Sequence, residues 1–338
     1  MANYATGDSV VAQRFLNEQF ASPEKRTEQA VVFNMFIASN RLFEMTVDKT
    51  SDDRPSEAHY MTKRVRALGT SGRVRNHTGS TGDSAKITPT WITRDATWSE
   101  NLKLADNKIW TAQDLMNNEM LDAFISFEEG KEILAVDHLF NNRSQVNIAT
   151  LEGTFDATFH FKITEATNGN RKAQITKSVM SKNKYATTGL IYVCDTISFN
   201  KFEFDAAQGT GNSENLSFQY QGVTFIKSTR MDVHAATLSI TKGLWAVAPF
   251  GTFGLADWIP LQNRQGITTT VSKYSTIINP NDGLSYAMHS YEARVDGSGI
   301  GSQTQDVKIE HELSIDWAFD NAPLSTANES TIQFFSLV

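Results

Sequence analysis

Residues Asp306–Trp317 read DVKIEHELSIDW, and the run alternates apolar and polar positions along its whole length. Val307, Ile309, Leu313, Ile315 and Trp317 fall on one side, with His311 among them. Asp306, Lys308, Glu310, Glu312, Ser314 and Asp316 fall on the other. A period of two marks a strand that buries one face and shows the other. This one is about twice the usual strand length. It therefore demands partners along most of its length. The segment YAMHSYEARV, joined to it through DGSGIG, is the natural one.

The second strong signal is helical. Over Thr111–Arg143, Met116, Met120, Phe124 and Phe127 recur on one stripe, flanked by Leu115 and Leu121. Ile133, Val136, Leu139 and Phe140 continue it, and Gly130 is the point where the helix would kink or split. Thr111 and Asp114 have the spacing of an N-terminal capping box. A shorter helix is predicted within Glu24–Leu42. Residues 153–185 fit either strand or helix. From Gly189 onward the chain reads as strand-rich: LIYVCD, LSFQYQGVTFIKST, ATLSITKG and ITTTVSKYSTII, with NPNDG as a turn.

Between these elements lies an anomaly. Lys63–Gly82, KRVRALGTSGRVRNHTGSTG, holds six basic residues if His77 is counted, and no acid occurs between Glu57 and Asp83. The whole chain is acidic, with a net charge of −7. Glycine and Asn at the centre of this segment suit a hairpin tip. Residues 59–106 thus read as a long two-stranded arm, with Trp91 and Trp98 as apolar anchors on its return leg. Such an arm is marginal alone and needs another surface to lie on.

Little else carries chemistry. The acidic balance, with a pI near 5.6, argues against a general nucleic-acid binder, which needs a basic face. Cys194 is the sole cysteine, so an internal disulfide is excluded and a buried core thiol is expected. The histidines form no zinc-binding spacing, and no phosphate loop or nucleophile elbow occurs. No catalytic, cofactor or metal residues are assigned. Gly243–Leu261, the most apolar stretch, contains two prolines, three glycines and an aspartate, so no membrane span is expected. The N-terminus lacks a signal-peptide layout, which predicts a soluble protein made in a cytoplasm. The fold class is α+β.

An arm, a long hairpin, a long helix and then a mixed region is an order that resembles the HK97-fold major capsid protein of tailed bacteriophages. LIYVCDTISFNKF, GNSENLSFQYQGVTFIKSTRM and LWAVAPFGTFG are similar in style to that family's segments. The resemblance implies an N-arm (1–58), an extended loop (59–106), a peripheral domain with a spine helix (107–185, helix 111–143), an axial domain (186–284) and a return to the peripheral sheet (285–338). It implies a subunit of an icosahedral shell around double-stranded DNA, present in the virion and assembled in the bacterial host cytoplasm. The implied partners are further copies, as hexamers and pentamers, packaged DNA bound without sequence preference, a portal and a decoration protein. The short N-arm leaves little room for a fused scaffolding segment, so a separate scaffolding protein is expected. The loop residues Lys63, Arg64, Arg66, Arg73, Arg75, Trp91 and Trp98 would contact a neighbouring subunit. The acidic face Asp306, Glu310, Glu312 and Asp316 is the candidate surface on which they dock. An encapsulin-type compartment, a β-rich glycan-binding surface protein and a hydrolase are the alternatives.

Overall fold

The computed structural model describes residues 14–17, 30–39, 53–55, 57–61, 84–101, 112–146, 152–185, 187–207, 217–220, 223–296, 305–322, 324 and 328–338. In chain order the elements are α1 (Val31–Ala38), β1 (Ala58–Met61), β2 (Ser84–Ile87), β3 (Trp91–Asn101), α2 (Ala112–Asn141), β4 (Thr154–Phe155), β5 (Phe161–Ile163), α3 (Glu165–Asn168), α4 (Lys172–Lys182), β6 (Leu190–Cys194) and α5 (Thr196–Ala207). They continue with β7 (Ser217–Tyr220), β8 (Val223–Lys227), α6 (Thr229–Thr237), β9 (Leu244–Pro249), β10 (Phe253–Trp258), α7 (Leu261–Gln265), β11 (Ser272–Ile278), β12 (Ser285–Asp296), β13 (Gln305–Asn321) and β14 (Gln333–Leu337).

The alternating run becomes β13, 17 residues long. Both of its edges are used. One edge carries β3 along Lys308–Ala318. The other carries β12 over Gln305–Ser314 and then β10 over Asp316–Asn321. β11 extends the sheet beyond β12, giving five strands. The odd-numbered side chains Leu313, Ile315 and Trp317 of β13 face the core, as the pattern requires, with Leu313 and Trp317 0% exposed and Ile315 1%.

Two helices cover that face. α2 is a single helix of 30 residues, about 45 Å long. It runs through Gly130 without a break. Met116, Met120, Phe124 and Phe127 are buried as the stripe predicted, but Ile133 is not: it is 41% exposed. Phe127 meets Trp317 edge-on with ring centroids 6.1 Å apart, and Phe124 meets Tyr286 of β12 at 5.2 Å. α1 adds Phe33 against Trp317 (5.4 Å) and Phe36 against Phe319 (5.4 Å). Each such ring contributes about 1.5–3 kcal/mol of burial.

A mixed seven-stranded sheet, ordered β4-β5-β14-β9-β6-β8-β7, forms the second layer. All five residues of β6 are buried, which explains its unbroken apolar run. One face, with Ile191, Val193, Ile226 and Ala246, joins the core beneath α1 and α2. The opposite face, with Tyr192, Cys194, Phe225 and Trp245, packs on Ile175 and Val179 of α4 and on Phe199 and Phe202 of α5. Burial pushes the Cys194 thiol pKa upward, so it is the core thiol expected. Asp195 then starts α5. It accepts hydrogen bonds from the amides of Ser198 (2.7 Å) and Leu244 (2.9 Å). Gly243 sits at φ +135°, a conformation L side chains rarely adopt, and an added Cβ would stand only 3.0 Å from Ser198 Cβ.

One strand expectation changes. The segment ATLSITKG is not a strand: it is the end of α6 and the turn after it. Asp232 of α6 accepts from the amide and hydroxyl of Thr196 (2.8 and 2.7 Å), which ties this helix to the start of α5. The undecided region 153–185 holds both types, β4 and β5 and then α3 and α4. The short helix expected within Glu24–Leu42 is Val31–Ala38 among the described residues.

Asp137 and His138 diverge around α2, as adjacent helical positions must. Asp137 accepts from Arg230 (2.8 and 2.9 Å) and pairs with His234 (2.8 Å), which fastens α2 to α6. His138 turns the other way, between Phe36 (5.7 Å) and Phe319 (5.8 Å).

Two predictions arise. A Cβ at Gly130 would meet nothing within 4 Å. Gly130→Ala should therefore stabilise the protein by roughly 0.5–1 kcal/mol in urea unfolding. Burial lowers the His138 pKa from 6.5 to about 4. The folded state then binds fewer protons than the unfolded state between those values. Its stabilising contribution is complete above pH 6.5, declines as pH falls, and is gone near pH 4. The loss should reach about 3 kcal/mol. His138→Gln should flatten that part of the pH–stability curve.

Candidate assembly interface

The hairpin begins with β1 and β2, which pair from Ala58↔Ile87 to Met61↔Ser84. These two strands form a sheet of their own, and no third strand joins them among the described residues. Lys63, Arg64, Arg66, Arg73 and Arg75 lie outside the described residues. The return leg changes partner after Ile87. Trp91–Asn101 leaves the hairpin and becomes β3, paired with β13.

The root of the hairpin is clamped to the outward face of the five-stranded sheet. Arg54 forms an ion pair with Asp316 at 2.8 Å and donates to Thr93 Oγ1 at 3.2 Å. Its guanidinium also lies 5.5 Å from the centre of the Trp258 ring, and Arg264 lies 5.7 Å from the same ring. The Trp91 indole N–H donates to the carbonyl of Pro55 at 3.0 Å. Lys86 pairs with Glu57 across the hairpin base. Charge, stacking and a backbone hydrogen bond thus fix where the arm leaves the sheet.

The sequence-derived interface residues divide accordingly. Trp98, expected to anchor a neighbour, is 9% exposed and stacks on His311 of its own chain, with centroids 5.3 Å apart. His311 also shares a 2.8 Å hydrogen bond with Ser290, as expected of an interior histidine. Trp91 is half-buried beneath Pro55. Asp316 does not belong to a free acidic face: it is buried and neutralised by Arg54. Asp306 lies in β13 directly opposite Val295. Glu310 and Glu312 are half-buried and face outward.

Directly opposed residues of antiparallel strands share a face. Glu310 opposes Tyr291, and Glu312 opposes His289. Across the next ladder His289 opposes Tyr274. The three rings stack in a row, Tyr274 on His289 (4.4 Å) and His289 on Tyr291 (5.5 Å). Tyr291 is 43% exposed, and neighbouring Val271 is 63% exposed. The outward face therefore offers an aromatic row flanked by two carboxylates. Such a surface suits a basic partner, through cation–π and charge contacts. Nothing in the sequence pointed to Arg54, and the aromatic row becomes visible only once the register is known.

Among the described residues no group of three acidic, His or Cys side chains could hold a metal ion. No described helix is long and apolar enough to cross a membrane.

No protein-family model and no curated protein sequence matches the chain. Solved structures do. The capsid asymmetric unit of cyanophage Pam1 aligns over 92% of this chain and 93% of its own, with a TM-score of 0.50 and 13% identity. That of cyanophage A-1(L) aligns over 93% and 94%, with a TM-score of 0.51 and 10% identity. The chain has the HK97-like fold of phage capsid subunits, an α+β architecture.

Substitutions on the clamp should separate its parts. Arg54→Ala leaves the buried Asp316 carboxylate without its cation. The expected loss is about 1–3 kcal/mol, whereas the double variant Arg54→Ala/Asp316→Ala should recover part of it in the same urea assay.

Proposed function

We propose that this protein is the major capsid protein of a tailed bacteriophage, a subunit that self-assembles into an icosahedral shell around double-stranded DNA. The observation that carries the reading is the hairpin. Its root is fixed by Arg54, Trp91 and Lys86, yet among the described residues β1 and β2 form a two-stranded sheet with no third strand. A two-stranded ribbon is marginal in water, and a surface on another copy would complete it. The alignment over nearly all of two phage capsid subunits supports the same role.

In this reading the basic tip, Lys63 to Arg75, lies on the outward sheet face of a neighbour. Glu310, Glu312 and the Tyr274–His289–Tyr291 row receive it. Single exposed pairs contribute only about 0–1 kcal/mol each, so several act together and chiefly set register and direction. The segmentation into N-arm, loop, peripheral domain and axial domain belongs to the same proposal. So do hexamers and pentamers, a separate scaffolding protein, a portal and a decoration protein, and assembly in a bacterial cytoplasm. The role is structural. DNA is enclosed without sequence-specific contacts, in keeping with the net charge of −7.

The test is assembly with its scaffolding partner, followed by electron microscopy and sedimentation. Closed particles containing DNA are expected from phage-infected cells. Arg73→Glu/Arg75→Glu should abolish particles, and adding Glu310→Arg/Glu312→Arg should restore them. Assembly of the reversed hairpin without the compensating pair overturns the docking surface. A chain that stays monomeric beside its scaffold overturns the capsid reading.

A further inference from the structure

The side chains of Lys131, Glu128 and Asp282 are sealed from solvent, at 0%, 1% and 0% exposure. Lys131 Nζ lies 2.6 Å from Asp282 Oδ2 and also contacts Glu128 Oε1. Asn279 Nδ2 donates to the same Glu128 oxygen at 2.7 Å and lies 3.4 Å from Asp282 Oδ2. The Tyr286 hydroxyl donates to Asp282 Oδ2 at 3.2 Å, and the Leu284 amide donates to Oδ1 at 2.8 Å. The rings of Phe33 and Tyr286 stand 5.3 and 5.8 Å from Nζ.

This is an unusual way to bury an ion pair. Two carboxyl groups share one ammonium, and Glu128 Oε2 has no hydrogen-bond partner. A charge buried without full compensation is costly. Burial raises the Asp282 pKa, which favours its neutral acid. An amine, a carboxylic acid and a carboxylate able to carry a proton are thus held in contact in a dry aromatic pocket. Proximity of this kind replaces the entropy cost of bringing reactants together.

We propose that Lys131 and Asp282 condense into an intramolecular isopeptide bond, with Glu128 as the proton carrier. Glu128 first takes one proton from the Lys131 ammonium. The lone pair of the neutral amine then attacks Cγ of the Asp282 carboxylic acid. The C–N bond forms and the C–OH bond breaks. A second nitrogen proton leaves with the hydroxyl as one molecule of water. The amide keeps the third proton, and Glu128 remains a neutral acid. Every charge in the pocket is removed, with no oxidant or cofactor. The bond would join the middle of α2 to the turn between β11 and β12. It does not rest on the capsid reading.

The test is the intact mass of the full-length protein, measured under denaturing conditions and followed by peptide mapping. The wild-type chain is expected one water lighter than its sequence requires. It should also yield a branched peptide joining the segments around Lys131 and Asp282. Glu128→Gln, which keeps the shape but accepts no proton, should show its full mass and only linear peptides. A wild-type chain at full mass, with Lys131 and Asp282 in separate linear peptides, overturns the proposal and needs no variant to fold. Loss of ammonia instead of water also overturns it, because that would place the bond on Asn279.

Discussion

One strand constrains the rest of the molecule. β13 is long enough to be hydrogen-bonded along both edges, by β3 on one side and by β12 and β10 in succession on the other. Backbone donors and acceptors cannot be buried unpaired, so a strand of 17 residues with one face in the core dictates where three other strands lie. Its odd-numbered residues then present Leu313, Ile315 and Trp317 as one apolar strip. α1 and α2 cover that strip because it is too large to leave in water.

α2 transmits this arrangement to the second sheet. Its apolar stripe packs on β12 and β13, while Asp137 reaches Arg230 and His234 of α6. The two contacts differ in kind. Apolar burial supplies most of the stabilisation. The charged contacts add little net energy, but a helix slipped by one turn would strand Asp137 and Lys131 without partners. They act as register marks on a surface that greasy contacts alone would hold less specifically.

The outward side of the five-stranded sheet follows another logic. It carries the clamp around Arg54 at one end and the aromatic row with Glu310 and Glu312 at the other. Both lie on the face opposite the core. The first positions the root of the hairpin, and the second offers a platform for a basic partner. Under the proposed docking, a subunit with its hairpin root and its acceptor surface on one sheet would relate each copy to the next through a fixed geometry.

Much of this was legible in the chain itself. The alternation of Asp306–Trp317, the stripe from Met116 to Phe127 and the all-apolar run around Cys194 each report a local periodicity, and each became the element it implied. Local signals failed where composition was ambiguous: ATLSITKG has strand-like residues but ends a helix, because Asp232 fastens that helix to Thr196. What the sequence alone determined is therefore which of the strongly periodic segments are helix or strand, and most of the apolar face of each. The tertiary structure decided the partners. Trp98 meets His311, Arg54 neutralises Asp316, and Lys131 reaches Asp282 across 151 positions. The physical reason is that periodicity is written within a few residues, whereas charge pairing and ring stacking depend on which strands lie side by side. That choice is made by the packing of the whole chain.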